Sequence, residues 1–185
     1  FSAEDSDFVR FNKNAVRQAG HVRQRGLELD LIEGARHASG SLTLSGVLED
    51  DAPRVQRLLR ELRQQRAFLP EDPHLLYETK VHHTEHQGTS RLPDGAEAVS
   101  QIQEAGRGRD LVGIYAAGAI HAGFANSLGQ RNWYTTHSFN FGWSFYHGGD
   151  KAVKNGYAGF VWEPTDFRRK VDWALQQLDV IKHPP

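Results

Sequence analysis

His82, Glu85 and His86 stand in the run HHTEH and fit the spacing His-x-x-Glu-His. In one class of zinc peptidase this spacing sets two imidazoles one helical turn apart, with the glutamate beside them acting on metal-bound water. The chemistry would be metal-assisted hydrolysis of an amide, and it requires a helix. The flanking residues argue against one. YETKV precedes the run and carries β-branched Thr79 and Val81; the turn-forming QGTSRLPDG follows, and no apolar stripe at helical spacing crosses the motif. The enzyme also needs a further carboxylate ligand on a second helix, and none stands out. His82, Glu85 and His86 are therefore set aside as metal ligands, and the run reads as a solvated histidine loop capable at most of incidental metal binding.

His121, His137 and His147 fall on neighbouring predicted strands, but histidines scattered over a meander are more often core-edge or interface residues than ligands. EAGRGRD, Glu104 to Asp110, lacks the strand, glycine loop and helix order of a phosphate cradle and reads as a helix end. Neither GxSxG nor GxxxxGK[ST] occurs. The chain has no cysteine, which excludes disulfides, thiolate zinc sites and cysteine nucleophiles within it. No residue reads as catalytic, and no cofactor site is expected in the chain.

The elements that would position any site follow from the hydrophobic pattern. Among 185 residues, 22 are basic and 23 acidic, for a formal net charge of −1. That balance gives no reason to expect direct nucleic-acid binding, which rests on an excess of phosphate-neutralising charge. No apolar run approaches the ~18 residues that span a bilayer. FSAEDSDF at the start has no signal pattern, and the chain is expected to be a piece of a longer cytoplasmic protein.

Residues 7–46 read as a meander, in the pieces DFVRFN, VRQAGHVRQ, GLELDLIEGAR and SLTLSG. Leu27, Leu29 and Leu31 share one face there, and Glu28 and Asp30 the other. DDAPRVQRLLRELRQQRAFL follows as a helix, with Asp51 as N-cap, Pro53 in the first turn, and Val55, Leu58, Leu59 and Leu62 along one side. Its Arg54, Arg57 and Arg60 read as a solvated face. Residues 70–93 are polar and proline-containing, with LLYETKV as a possible strand. A short helix capped by Asp94 and ended by Gly106 comes next.

Residues 111–162 form a second strand-rich region, in the pieces LVGIYAA, IHAGFAN, NWYTTH, SFNFGWSFYH and GYAGFVW, with turns at Gly118-Ala119, NSLGQR and HGGDK. Phe139, Phe141, Trp143 and Phe145 alternate with Ser138, Asn140, Gly142 and Ser144. Four aromatics on one side of a strand are the strongest core signal in the chain. A last helix after Glu163-Pro164 carries Phe167, Val171, Ala174, Leu175, Leu178 and Ile181 as its stripe, with Trp173 outside it. Trp173 covers a neighbouring loop or meets an interface. The predicted class is α+β, antiparallel β-meanders packed with helices on one face. Two sheet-plus-helix halves, about 1–69 and 94–185, are joined by the polar segment.

The ordered run GIYAAGAIHAGFANSLGQRNWYTTHSFNFGWSFYHGGDKAVKNGYAGFVWEP resembles the amino-terminal domain of the TldD/PmbA family, named for modulation of DNA gyrase and understood as peptidases. A strand leads to an Ala-Asn-Ser-x-Gly turn, here Ala125, Asn126, Ser127, Leu128 and Gly129. FVRFNKNAVRQAG is similar to the family's early hairpin. The resemblance covers most of the chain and rests on the order and spacing of moderately specific motifs. In the turn, Asn126 and Ser127 can bond nearby backbone and Gly129 can take a positive φ; a hairpin role or a role in docking the catalytic half or a peptide would both use them.

The resemblance implies a cytoplasmic protein that pairs as a homodimer, or as a heterodimer with a family paralogue, and acts on unfolded or modified peptides. In the active branch, zinc ligands come from a His-Glu-x-x-x-His helix and a later cysteine in the carboxy-terminal domain; the other branch is a metal-free partner. This chain has neither His-Glu-x-x-x-His nor cysteine, so no catalytic role carries over to any of its residues. The expected role is a non-catalytic amino-terminal domain. The alternative is a free-standing module that grips extended peptides by strand addition.

Overall fold

The computed structural model describes residues 1–148 and 150–182. In chain order the elements are β1 (Ser2–Asn12), β2 (Ala15–Glu33), β3 (Arg36–Thr43), α1 (Leu48–Arg66), β4 (Thr84–Gln87), α2 (Gly95–Ala105), β5 (Asp110–Ala125), β6 (Arg131–His147), β7 (Lys151–Gly159) and α3 (Pro164–Lys182). The strands join in one antiparallel sheet in the order β3-β2-β1-β5-β6-β4, with β7 also paired to β6. The class is α+β, as the pattern predicts.

Several strands are longer than their sequence signals. LVGIYAA and IHAGFAN are one strand, β5, and NWYTTH and SFNFGWSFYH are one strand, β6. VRQAGHVRQ and GLELDLI likewise belong to the single 19-residue β2. The Gly118-Ala119 pair reads as a turn in sequence but sits inside β5, where close packing needs the glycine. A Cβ at Gly118 would lie 2.2 Å from the Asp5 carbonyl oxygen and 2.4 Å from Ser6 Cα. True reversals need left-handed residues, and the β1–β2 turn supplies Lys13 and Asn14 with φ of 50° and 58°.

LLYETKV does not form a strand; the ladder begins later, with β4 over Thr84–Gln87. Propensity at 75–81 is spent on local turns instead, with the Leu75 N–H bonded to the Asp72 carbonyl and the Lys80 N–H to Glu78 Oε1. Part of the HHTEH run, read as loop, is therefore strand.

The chain divides into two compact units. One comprises residues 1–4, 23–87 and 121–134; the other comprises 5–22, 88–120 and 135–185. In the first, α1 packs on β3, and Gly40 lets it approach: a Cβ there would meet Leu58 Cδ1 at 2.9 Å and Leu62 Cδ2 at 3.2 Å. Leu62 is buried, Val55, Leu58 and Leu59 are half-buried, and Arg54, Arg57 and Arg60 face solvent, as the helical stripe requires. Leu27, Leu29 and Leu31 are half-buried between exposed Glu28 and Asp30. Asp51 is not the N-cap of α1. The helix starts at Leu48, behind Val47. From inside the first turn the Asp51 carboxylate reaches back to the preceding loop, accepting from the Ser45 N–H at 2.9 Å, the Ser45 hydroxyl at 3.0 Å and the Gly46 N–H at 2.9 Å. These donors, the Ser45 backbone N–H foremost, hold its carboxyl below the usual range.

In the second unit the aromatic face of β6 is the core. Phe139, Phe141, Trp143 and Phe145 are all buried, packed with Phe11, Leu111 and Tyr115 beneath Ala98 and Ile102 of α2 and Phe167, Val171, Ala174 and Leu178 of α3. Phe141 stacks on Trp143 at 4.8 Å between ring centroids, and Phe167 closes edge-on over both. Asp94 caps α2 by accepting from the Ala96 N–H at 2.8 Å, and Gly106 ends it.

Candidate functional site

The HHTEH run lies beside the start of β6, with Thr84, Glu85 and His86 in β4. Asn132 donates to the His82 carbonyl at 2.9 Å and to Thr84 Oγ1 at 2.7 Å, and the His82 N–H reaches Gln130 Oε1 at 3.3 Å. His86 stacks on Tyr134 at 5.2 Å, and Glu85 accepts from Gln87. Thr84, Glu85 and His86 lie in β4, where each residue advances the backbone by ~3.3 Å and no helical turn brings His86 back over His82. Two imidazoles sharing one zinc must each come within about 2.1 Å of it. The backbone therefore separates the two histidines that the motif would need together. Among the described residues no three His, Asp or Glu side chains converge as a metal site, His121, His137 and His147 included.

The Ala-Asn-Ser-x-Gly turn joins β5 to β6. Asn126 Oδ1 accepts from the N–H groups of Leu128 at 3.1 Å and Gln130 at 3.0 Å, while the Asn126 carbonyl accepts from the Gly129 N–H at 3.1 Å. Gly129 takes φ of 98°, a conformation that disfavours any side chain. Ser127 points to solvent and makes no side-chain hydrogen bond among the described residues. Asn126 and Gly129 thus build the turn, and Ser127 is its exposed tip.

Trp173 is 49% exposed on α3. It lines a groove of about 870 Å³ between α2 and α3 with Gln101, Glu104, Phe167, Arg168 and Gln176. Its charges are mixed, which gives the groove no preference for a ligand of one sign. Apolar side chains are exposed elsewhere, among them Phe124, Leu128 and Tyr134 around the β5–β6 turn.

The sequence reading missed a second groove in the unit that holds α2 and α3. It lies on the opposite side of the sheet from the aromatic core, where Asn140, Gly142 and Ser144 alternate with the buried aromatics. Val112, Ile114 and Ala116 of β5 line it, and its charged residues are Arg10, Arg17 and Lys154. The available signal was the period of two: once the aromatics of β6 are core, their neighbours must form the opposite face. Which cations gather over that face depends on strand pairing between distant segments, which no local pattern states.

Tyr115 shows that an unusual titration need not mark a site. Its hydroxyl is buried without a partner among the described residues, and burial pushes it up to about 12. It lies within the aromatic core, edge-on to Phe141 and Trp162.

No protein-family model matches the sequence, and no curated protein matches it. Solved structures do match its fold. TldE from Thermococcus kodakarensis superposes with a TM-score of 0.71 at 10% identity, over 96% of this chain and 42% of that one. A protein put forward as a modulator of DNA gyrase from Bacteroides thetaiotaomicron gives 0.62 at 13% identity, over 96% and 43%. Another, from Thermotoga maritima, gives 0.61 at 7% identity, over 94% and 42%. The chain therefore has the fold of a part of TldE and of these gyrase-modulator structures, and spans less than half the length of each.

Proposed function

We propose that this chain is a non-catalytic domain of a TldD/PmbA-type peptidase, or of its metal-free partner subunit, and acts as a scaffold for handling unfolded or modified peptides. The supporting observation is the fold: nearly the whole chain superposes on part of TldE with a TM-score of 0.71. The ordered meander around Asn126 and Gly129 agrees with it. Zinc, in the active branch, would be held in a carboxy-terminal domain by its own His-Glu-x-x-x-His helix and cysteine. The protein would work in the cytoplasm as a homodimer or as a heterodimer with a paralogue. The exposed Phe124, Leu128 and Tyr134 and the Trp173 groove are the surfaces such an assembly would use.

The test has two parts. The gene is read beyond Pro185, and hydrolysis of an unfolded casein is assayed for the 185-residue chain and for the full product, each with and without added zinc. The scaffold reading expects no hydrolysis by the 185-residue chain, and hydrolysis by the full product only where it carries His-Glu-x-x-x-His and a later cysteine. Zinc-dependent hydrolysis by the 185-residue chain that His82→Ala removes would overturn it.

A second reading is a peptide-binding module that works by strand addition. Its support is that β3 pairs with β2 only among the described strands, which leaves its outer edge without a strand neighbour. A stop codon directly after Pro185, with a stable monomer that binds extended peptides, would favour it.

A further inference from the structure

We infer that the groove on the open face of the sheet binds an acidic peptide segment, holding its carboxylates among Arg10, Arg17 and Lys154. The groove has a volume of about 580 Å³, and no aspartate or glutamate lines it. Among the described residues, none of its three cations is paired with a carboxylate, in contrast to Arg54 or Arg66. The Arg10 guanidinium rests over the Phe8 ring at 5.8 Å from its centroid, a contact that orients the cation without neutralising it. Three cations around one groove lined by no acid give it a positive field in a chain whose net charge is −1.

The floor of the groove suits a chain more than a compact ion. Gly142 faces Gly156 across the β6–β7 pair, and nothing stands within 4 Å of where a Gly142 Cβ would lie. Ser144 is opposite Lys154 in the same pair, and both line the groove. Asn12 and Asn140 offer amides to a peptide backbone, and half-exposed Ile114 offers apolar surface to the methylenes of glutamate side chains. A nucleic acid is a poorer fit. Single strands are gripped by stacking bases on exposed aromatics, and the aromatics lining this groove, Phe11 and Trp143, are buried.

This inference stands on the groove and is independent of the peptidase reading above. The test titrates the 185-residue chain against fluorescein-labelled hexaglutamate at low ionic strength, read by anisotropy. Arg17→Gln with Lys154→Gln should weaken binding about tenfold or more, since each loses a charge-assisted contact. Arg57→Gln with Arg60→Gln removes the same charge from the solvent face of α1 and should leave binding within about twofold. Gly142→Phe fills the floor, keeps every charge, and should abolish binding; Asn140→Phe replaces it if circular dichroism shows Gly142→Phe unfolded. Three results would overturn the proposal: no binding by the unsubstituted chain, equal losses in the two charge variants, or a labelled oligothymidylate binding as tightly as hexaglutamate and losing affinity with Arg17 and Lys154.

Discussion

Two glycines in the middle of strands should respond with opposite signs to the same substitution. Gly→Ala in a strand ordinarily stabilises by roughly 0.5–1 kcal/mol, because alanine loses less conformational freedom on folding. Gly142→Ala should follow that rule, because the added Cβ meets nothing within 4 Å. Gly118→Ala should break it. Its Cβ would stand 2.2 Å from the Asp5 carbonyl oxygen and 2.4 Å from Ser6 Cα, where ordinary contact begins at 3.4 Å. Both obstacles are backbone, so no side chain can rotate away, and β1 and β5 must separate locally by about 1 Å. Hydrogen bonds of 2.7–3.2 Å do not survive that movement. Losing two or three of them at about 1 kcal/mol each, less the entropic gain, leaves Gly118→Ala destabilised by roughly 1–3 kcal/mol. Urea unfolding followed by tryptophan emission measures this directly, and m should stay unchanged if only the folded state is affected. In heating, the midpoint should fall by about 2–4 °C for each kcal/mol at this chain length. If Gly118→Ala is neutral or stabilising, β1 and β5 do not approach as described, and the explanation of why Gly118 is not a turn fails with it.

Asp51 predicts a pH dependence whose sign is fixed. Its carboxyl is held below the ordinary value, so its stabilisation is complete above the unfolded value near 3.9 and is lost as pH falls through the lower folded value. Asp51→Asn should therefore be less stable than the unsubstituted chain at neutral pH, with the gap closing below about pH 4; a gap constant down to about pH 2 would contradict the collar around Ser45 and Gly46. Tyr115→Phe removes a buried hydroxyl that has no partner among the described residues and should raise stability by about 1 kcal/mol in urea unfolding; a loss of that size would mean that the hydroxyl is bonded. Asn126→Ala leaves the Leu128 and Gln130 N–H groups without their acceptor and should cost about 1–2 kcal/mol, with amide exchange accelerating around the β5–β6 turn; unchanged exchange there would refute its role in the turn.

The parts of the fold legible in the sequence are those with strong local periodicity. The alternation of Phe139, Phe141, Trp143 and Phe145 located the core, because nothing but a buried sheet face accommodates four aromatics two residues apart. Asp94 and Gly106 marked the ends of α2 by local hydrogen bonding and backbone freedom alone. What was not legible depended on distant partners. Gly118 has the sequence signature of a turn, but β1 dictates its use as a point of close approach. Asp51 carries the chemistry of an N-cap, yet from a position inside the helix it bonds to the loop ahead. Strand propensity placed β-structure at 75–81, whereas the ladder to β6 lies at Thr84–Gln87, where Asn132 provides an anchor. The basic groove was hidden for the same reason, since Arg10, Arg17 and Lys154 come from three different strands.

The division into two units has a genetic consequence. Each unit is assembled from three separate stretches of chain, and the polypeptide passes from one to the other five times. No single restriction fragment can encode either unit alone, and a gene split or fusion placed within residues 5–134 would sever both at once. Shuffling of halves is therefore closed to this fold as an evolutionary route. Variation must enter as point substitutions or as insertions at exposed bends such as the Ser127 tip, where added residues leave every ladder in register.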